Sequence, residues 1–113
     1  MTVQGAGQTI RAALLQWPGV AAHPHQFGGM EYRLGSREIG HVHGDSLVDI
    51  PFPTRVRDKL VAAGRAEPHH VLPQSGWVSL YLRQAGDVEQ AIALFRESYE
   101  LASKQLARRG ATG

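Results

Sequence analysis

Apolar and polar positions along the chain follow two periods, and each period predicts an element. Ile10, Ala13, Leu14 and Trp17 recur three and four residues apart, which predicts a helix over residues 8–17 that Gly5 and Gly7 delay and Pro18-Gly19 end. Residues 20–25 are apolar at first and closed by a proline, as suits a strand at a sheet edge. Residues 26–29, with paired glycines, read as a turn. Met30, Tyr32 and Leu34 then alternate with Glu31 and Arg33, the pattern of a half-buried strand. Gly35-Ser36 turns the chain into a further strand over residues 37–43, and Gly44-Asp45-Ser46 into another over 47–52.

Pro53-Thr54 opens a second helix, with Val56, Leu60 and Val61 facing inward and Gly64 as its cap. Residues 65–74 hold two prolines and predict no regular element. Alternation returns over residues 77–82, with Val78, Leu80 and Leu82 on one face and Trp77, Ser79 and Tyr81 on the other. The final helix carries the longest stripe, from Val88 through Ala91, Ile92, Phe95, Tyr99 and Ala102 to Leu106. Asp87 and Gln90 have the spacing of a capping box, and Lys104, Arg108 and Arg109 suit the negative end of the helix dipole. The sum is an α+β fold, an antiparallel sheet of four or five strands with helices packed on one face and a long C-terminal helix. The chain reads as one domain over 1–113, with 108–113 as a flexible tail. One sheet face is left open, carrying Trp77, Ser79 and Tyr81.

Composition narrows the function classes. With no cysteine there is no disulfide framework and no thiolate metal site. A net charge of +2, from ten arginines and two lysines spread along the chain, does not suggest a nucleic-acid partner. No apolar run is long enough for a membrane span, and the first residues do not read as a secretory signal, so a cytoplasmic protein is expected. No phosphate-cradling loop is present, and no cofactor is called for.

Histidine carries the remaining signal. Residues 38–52 and 68–77 together hold four of the six histidines. His41 and His43, two apart in a strand, point to the same side of the sheet, and His23 and His25 share that spacing. His69 and His70 point apart in an extended chain, so one of them joins either pair. With Asp45 or Asp49 they could complete a metal site, whose ligands must converge at about 2.0–2.1 Å. The same residues could instead hydrogen-bond in a polar sheet face or act in acid–base chemistry, where an aspartate sets the histidine tautomer. Ser75 with a neighbouring histidine has the elements of a nucleophile. However, Gln-Ser-Gly is no nucleophile elbow, and a turn into the strand at Trp77 explains it better. No residue is assigned a catalytic or metal-binding role on this basis. The candidate ligand-binding residues are His41, His43, Asp45, Asp49, His69, His70, Ser75 and Trp77, and Gly40 and Gly44 suggest a close approach of backbone or ligand.

The residues also carry a family likeness. The runs FGGMEYRLG at 27–35, EIGHVHG at 38–44, LVDIPF at 47–52, EPHHVLP at 67–73 and SGWV at 75–78, with Arg57, Leu60, Gly64 and Ser98-Tyr99, resemble a bacterial and fungal family called the luciferase domain. The resemblance spans about residues 18–101 and implies that His41, His43, Asp49, His70 and Trp77 belong to a family signature, without giving them a role. The order of elements also looks like YjbR/MmcQ-type domains, a likeness of fold. The label implies no reaction, since a flavin-dependent bacterial luciferase resembles a (β/α)₈ barrel of about 250 residues. Three functions follow as expectations: a small-ligand domain with a His-lined pocket, an acid–base or metal-assisted hydrolase-type enzyme using the same histidines, and a homodimeric module with Trp77 and Tyr81 against a second copy or another protein partner.

Overall fold

A computed structural model describes residues 2–25 and 28–112, with side chains described as far as residue 109. The elements run α1 (Ala6–Leu14), β1 (Val20–Pro24), β2 (Met30–Leu34), β3 (Arg37–His43), β4 (Leu47–Pro51), α2 (Thr54–Ala62), β5 (Glu67–Pro68), β6 (Trp77–Tyr81) and α3 (Ala85–Thr112). The fold is α+β: among the described residues there is one six-stranded antiparallel sheet in the order β1-β2-β3-β4-β6-β5, with three helices. The additional strand, β5, has only two residues and lies within the segment expected to be irregular. Too short to show any period, it is defined by its pairing with Ser79 and Val78. Gln26 and Phe27 of the expected turn lie outside the described residues.

Burial sorts the two sheet faces. Tyr32, Val42, Val48, Ile50 and Val78 are buried under Leu94 and Phe95 of α3 and Ile10 and Leu14 of α1. Tyr32 and Phe95 meet edge to face at 6.0 Å. Trp17 lies against Tyr99 at 5.3 Å, and the Tyr99 hydroxyl donates to the Pro18 carbonyl at 2.8 Å, fixing the end of α1 on α3. No helix among the described residues is long and apolar enough to cross a membrane.

Helix boundaries differ from the sequence pattern for local reasons. α1 begins at Ala6, before the expected residue 8, because Asp45 accepts hydrogen bonds from the Gly5 and Gly7 amides at 3.0 and 2.8 Å and so supplies the missing cap. The capping box of α3 does not form. Asp87 accepts from the Arg83 and Gln84 amides, while Gln90 donates to the Arg65 carbonyl. α2 ends as expected, with Gly64 at φ 72° and the bonds Gly64 to Val61 and Arg65 to Leu60. α3 continues to Thr112, through most of the segment read as a tail.

Candidate functional site

Strand register lays a polar row across the open face. Glu31 pairs with His41, His41 with Asp49, Asp49 with Ser79, and Ser79 with Glu67. Side chains directly opposite in an antiparallel sheet share a face, so His41, Asp49 and Ser79 stand side by side. Glu38 joins them through an irregularity. Tyr32 pairs with Gly40 and Arg33 with Glu38, which leaves Ile39 without a partner. Residues three apart in a regular strand face opposite ways, and the extra residue of a bulge restores the same side. Ile39 is thereby buried in the core while Glu38 reaches His41, with its Oε2 2.8 Å from Nδ1.

The segment after β5 closes over this row. Pairing with β6 ends at Pro68, and His69 and His70 come down onto Asp49. His69 Nδ1 accepts hydrogen bonds from the Val71 and Leu72 amides at 3.1 and 3.0 Å, folding the chain back on itself. Ser75 donates to the Leu72 carbonyl and accepts from the Trp77 amide. Arg57 of α2 donates to the Pro73 carbonyl. Gly76 is packed so closely that a Cβ there would sit 1.9 Å from the Phe52 carbonyl oxygen.

The result is four imidazoles around one carboxylate oxygen. Asp49 Oδ2 lies 3.0 Å from His43 Nε2, 3.2 Å from His70 Nε2, 3.3 Å from His41 Nε2 and 3.6 Å from His69 Nε2. Its other oxygen accepts from the Ser79 hydroxyl at 2.6 Å. Both Asp49 and Ser79 are fully buried. The rings pack on one another: His25 and His41 at 4.4 Å, His41 and Trp77 at 5.2 Å, His69 and His70 stacked at 4.4 Å. His43 and His70 are 6.4 Å apart between centroids, close enough for one small ligand or ion.

Burial alone would raise the Asp49 carboxyl, but hydrogen bonds from His41, Ser79 and His70 and the nearby His69 hold it well below the usual range. Burial likewise disfavours a charged His41, yet Asp49 on one nitrogen and Glu38 on the other lift it to about 9. His69 is pushed the other way, chiefly by burial, with His70, His41 and His43 adding to the effect and Asp49 opposing it.

Above the cluster is an open cavity of about 470 Å³, walled by these residues, His25, Trp77 and the exposed side chains of Val71 and Leu72. A slightly larger one, about 530 Å³, lies beside α1 near Arg11 and Tyr32, away from the histidines.

Six of the eight candidate residues therefore meet: His41, His43, Asp49, His69, His70 and Trp77. The other two are placed elsewhere. Asp45 is occupied with the amides of Gly5 and Gly7, and Ser75 with its own turn. The expectation that only one of His69 and His70 could join the site is corrected, because the chain is bent there rather than extended. The close approach expected at Gly40 is partly one of backbone: a Cβ there would meet the Asp49 carbonyl oxygen at 3.0 Å, and also the Phe95 ring at 2.5 Å on the core side. At Gly44 a Cβ would meet nothing within 4 Å among the described residues, and the glycine answers instead to a φ of 56°. Glu38, Ser79 and His25 were not among the candidates. Ser79 alternates in register with Trp77, which was a usable signal, whereas Glu38 depends on the bulge and His25 on how the chain leaves β1.

The family model of the luciferase domain matches residues 36–98, more than half of the chain. The chain belongs to that family. No curated protein and no solved structure matches it at a significant level. The matched segment of this luciferase domain contains Glu38 and the whole Asp49 cluster, from His41 to Ser79, and leaves out His25. It carries the luciferase-domain resemblance and does not bear on the YjbR/MmcQ likeness.

Proposed function

We propose that this domain binds a divalent first-row transition-metal ion through His41, His43 and Asp49, and holds a small, largely apolar ligand against it in the adjoining cavity. One observation carries the reading: four imidazole nitrogens surround a single carboxylate oxygen at 3.0–3.6 Å. Even the three at 3.0–3.3 Å exceed the roughly two lone-pair sites through which a carboxylate oxygen accepts hydrogen bonds. By contrast, donors bound at about 2.1 Å from one ion stand roughly 3.0–3.4 Å from their neighbours. The ligand atoms of His41, His43 and Asp49 all lie within 4.8 Å of one another. Two histidines and a carboxylate leave coordination positions open for a ligand.

The surrounding residues fit the same reading. Glu38 on His41 Nδ1 and Ser79 on Asp49 are the outer partners that orient metal ligands. Trp77, Val71 and Leu72 supply apolar walls for the body of a small molecule. The test is elemental analysis of protein purified without a histidine tag, followed by reconstitution with Zn²⁺ and with Fe²⁺.

A second reading has its own observation. His41 lies between two carboxylates and is lifted to about 9, so without an ion it is an imidazolium at neutral pH and could serve as a general acid. On this reading the wild-type protein is expected to take up no metal, and replacing His41 is expected to remove turnover of the ligand.

A further inference from the structure

His69 differs from the other imidazoles at Asp49 in what its second ring nitrogen does. Nδ1 accepts from two backbone amides, Val71 at 3.1 Å and Leu72 at 3.0 Å. Amides only donate, so Nδ1 holds a lone pair, and the proton of the neutral ring sits on Nε2. A protonated nitrogen has no lone pair to give an ion. His41 is set the opposite way. Its Nδ1 faces the Glu38 carboxylate at 2.8 Å and keeps a proton there, which leaves Nε2 able to present a lone pair once the imidazolium gives up its other proton.

We infer that His69 is not a metal ligand but a fixed hydrogen-bond donor of the site, whose Nε2–H takes an oxygen acceptor of the bound ligand, such as a carbonyl or carboxylate. The assignment to a ligand on the ion rests on the metal-binding reading above, while the tautomer stands apart from it. His69 Nε2 is 3.6 Å from Asp49 Oδ2, too far for a good hydrogen bond, so the proton is directed into the site without being satisfied by that carboxylate. The ring cannot easily turn over. Doing so would break both amide bonds, and it is stacked on His70 at 4.4 Å with the edge of Trp77 at 6.2 Å. The donor is in place before any ligand arrives, which is what makes such a group effective.

Long-range ¹H–¹⁵N spectra of the imidazoles, taken on untagged wild-type protein before and after loading with Zn²⁺, read the tautomer directly. His69 is expected to keep its proton on Nε2 in both states, while the Nε2 signals of His41 and His43 move on loading. By calorimetry, His69→Ala is expected to keep Zn²⁺ affinity within about tenfold of wild type, as for a residue outside the ligand set, and His43→Ala to lose more than a hundredfold. Acetate, as an oxygen-acceptor probe, is expected to bind the Zn²⁺ form of His69→Ala about tenfold more weakly than that of the wild type. Loss of the His69 Nε2 proton on loading, a Zn²⁺ defect equal to that of His43→Ala, or unchanged acetate binding would overturn the inference. If the wild type takes up no Zn²⁺, the metal reading fails. The ion-free spectrum then still decides for His69: a proton on Nδ1 overturns the donor, and a proton on Nε2 retains it.

Discussion

Asp49 is a fully buried carboxylate whose charge is compensated from several sides: Ser79 on one oxygen and the imidazoles on the other. Charge at that depth persists only when it is paired, and the pairing links stability to pH. Without an ion, His41 in the folded chain binds its proton more tightly than the ordinary 6.5, at about 9. Its contribution to stability is therefore fully present below pH 6.5 and is lost as pH rises through about 9. Asp49, held well below its ordinary 3.8, contributes above that value and fails only in stronger acid. Urea midpoints of the ion-free protein should fall between pH 6.5 and 9, and His41→Gln should remove most of that slope. A profile flat over this range in the wild type would contradict the pairing. Gly40 is constrained on the opposite side of the same strand. With φ at 144°, the Phe95 ring 2.5 Å from an added Cβ and the Asp49 carbonyl oxygen at 3.0 Å, Gly40→Ala should cost roughly 2–4 kcal/mol in denaturant titration.

The elements divide the labour. β3 and β4 provide the rigid half of the site, His41, His43 and Asp49 on paired backbone, whereas His69 and His70 come from a loop whose position depends on a few ties. Arg57 is one of them, donating from α2 to the Pro73 carbonyl. Arg57→Ala should speed amide hydrogen exchange at residues 69–76 while leaving β3 and β4 protected. Equal loosening of both would show that the loop is not an independent unit. This division also explains what the sequence could reveal. Strand alternation put His41 and His43 on one side, and Trp77 with Ser79 on the open face, because period two is a property of the strand itself. The bulge at Ile39 is a pairing irregularity that no alternation pattern displays, so Glu38 stayed hidden. His69 and His70 face the same carboxylate because the chain bends after a two-residue strand, and that strand is defined by its partner β6 rather than by its own residues.

At the scale of the molecule, the sheet separates two tasks. The face under α1 and α3 is apolar and holds the fold together, which leaves the other face able to carry buried charge and ring nitrogens. The α+β architecture and the helix-covered face were legible from the two periods. The site's location was legible from where the histidines cluster, but its central atom was not, since convergence on Asp49 Oδ2 depends on strand register and loop path together. The cluster of imidazoles is thus a product of the whole fold, and an ion bound there should stabilise it. At a hundredfold excess over Kd, the gain would be about 2.7 kcal/mol.

The measurement that bears most directly on this account is the metal content of the untagged protein, before and after exposure to Zn²⁺ and Fe²⁺, determined by plasma mass spectrometry alongside the His43→Ala and Asp49→Asn variants. The account predicts one ion per chain in the wild type, a higher melting temperature when it is bound, and neither effect in the two variants. A wild-type protein that stays free of metal under all these conditions, or variants that load as fully as the wild type, would contradict it.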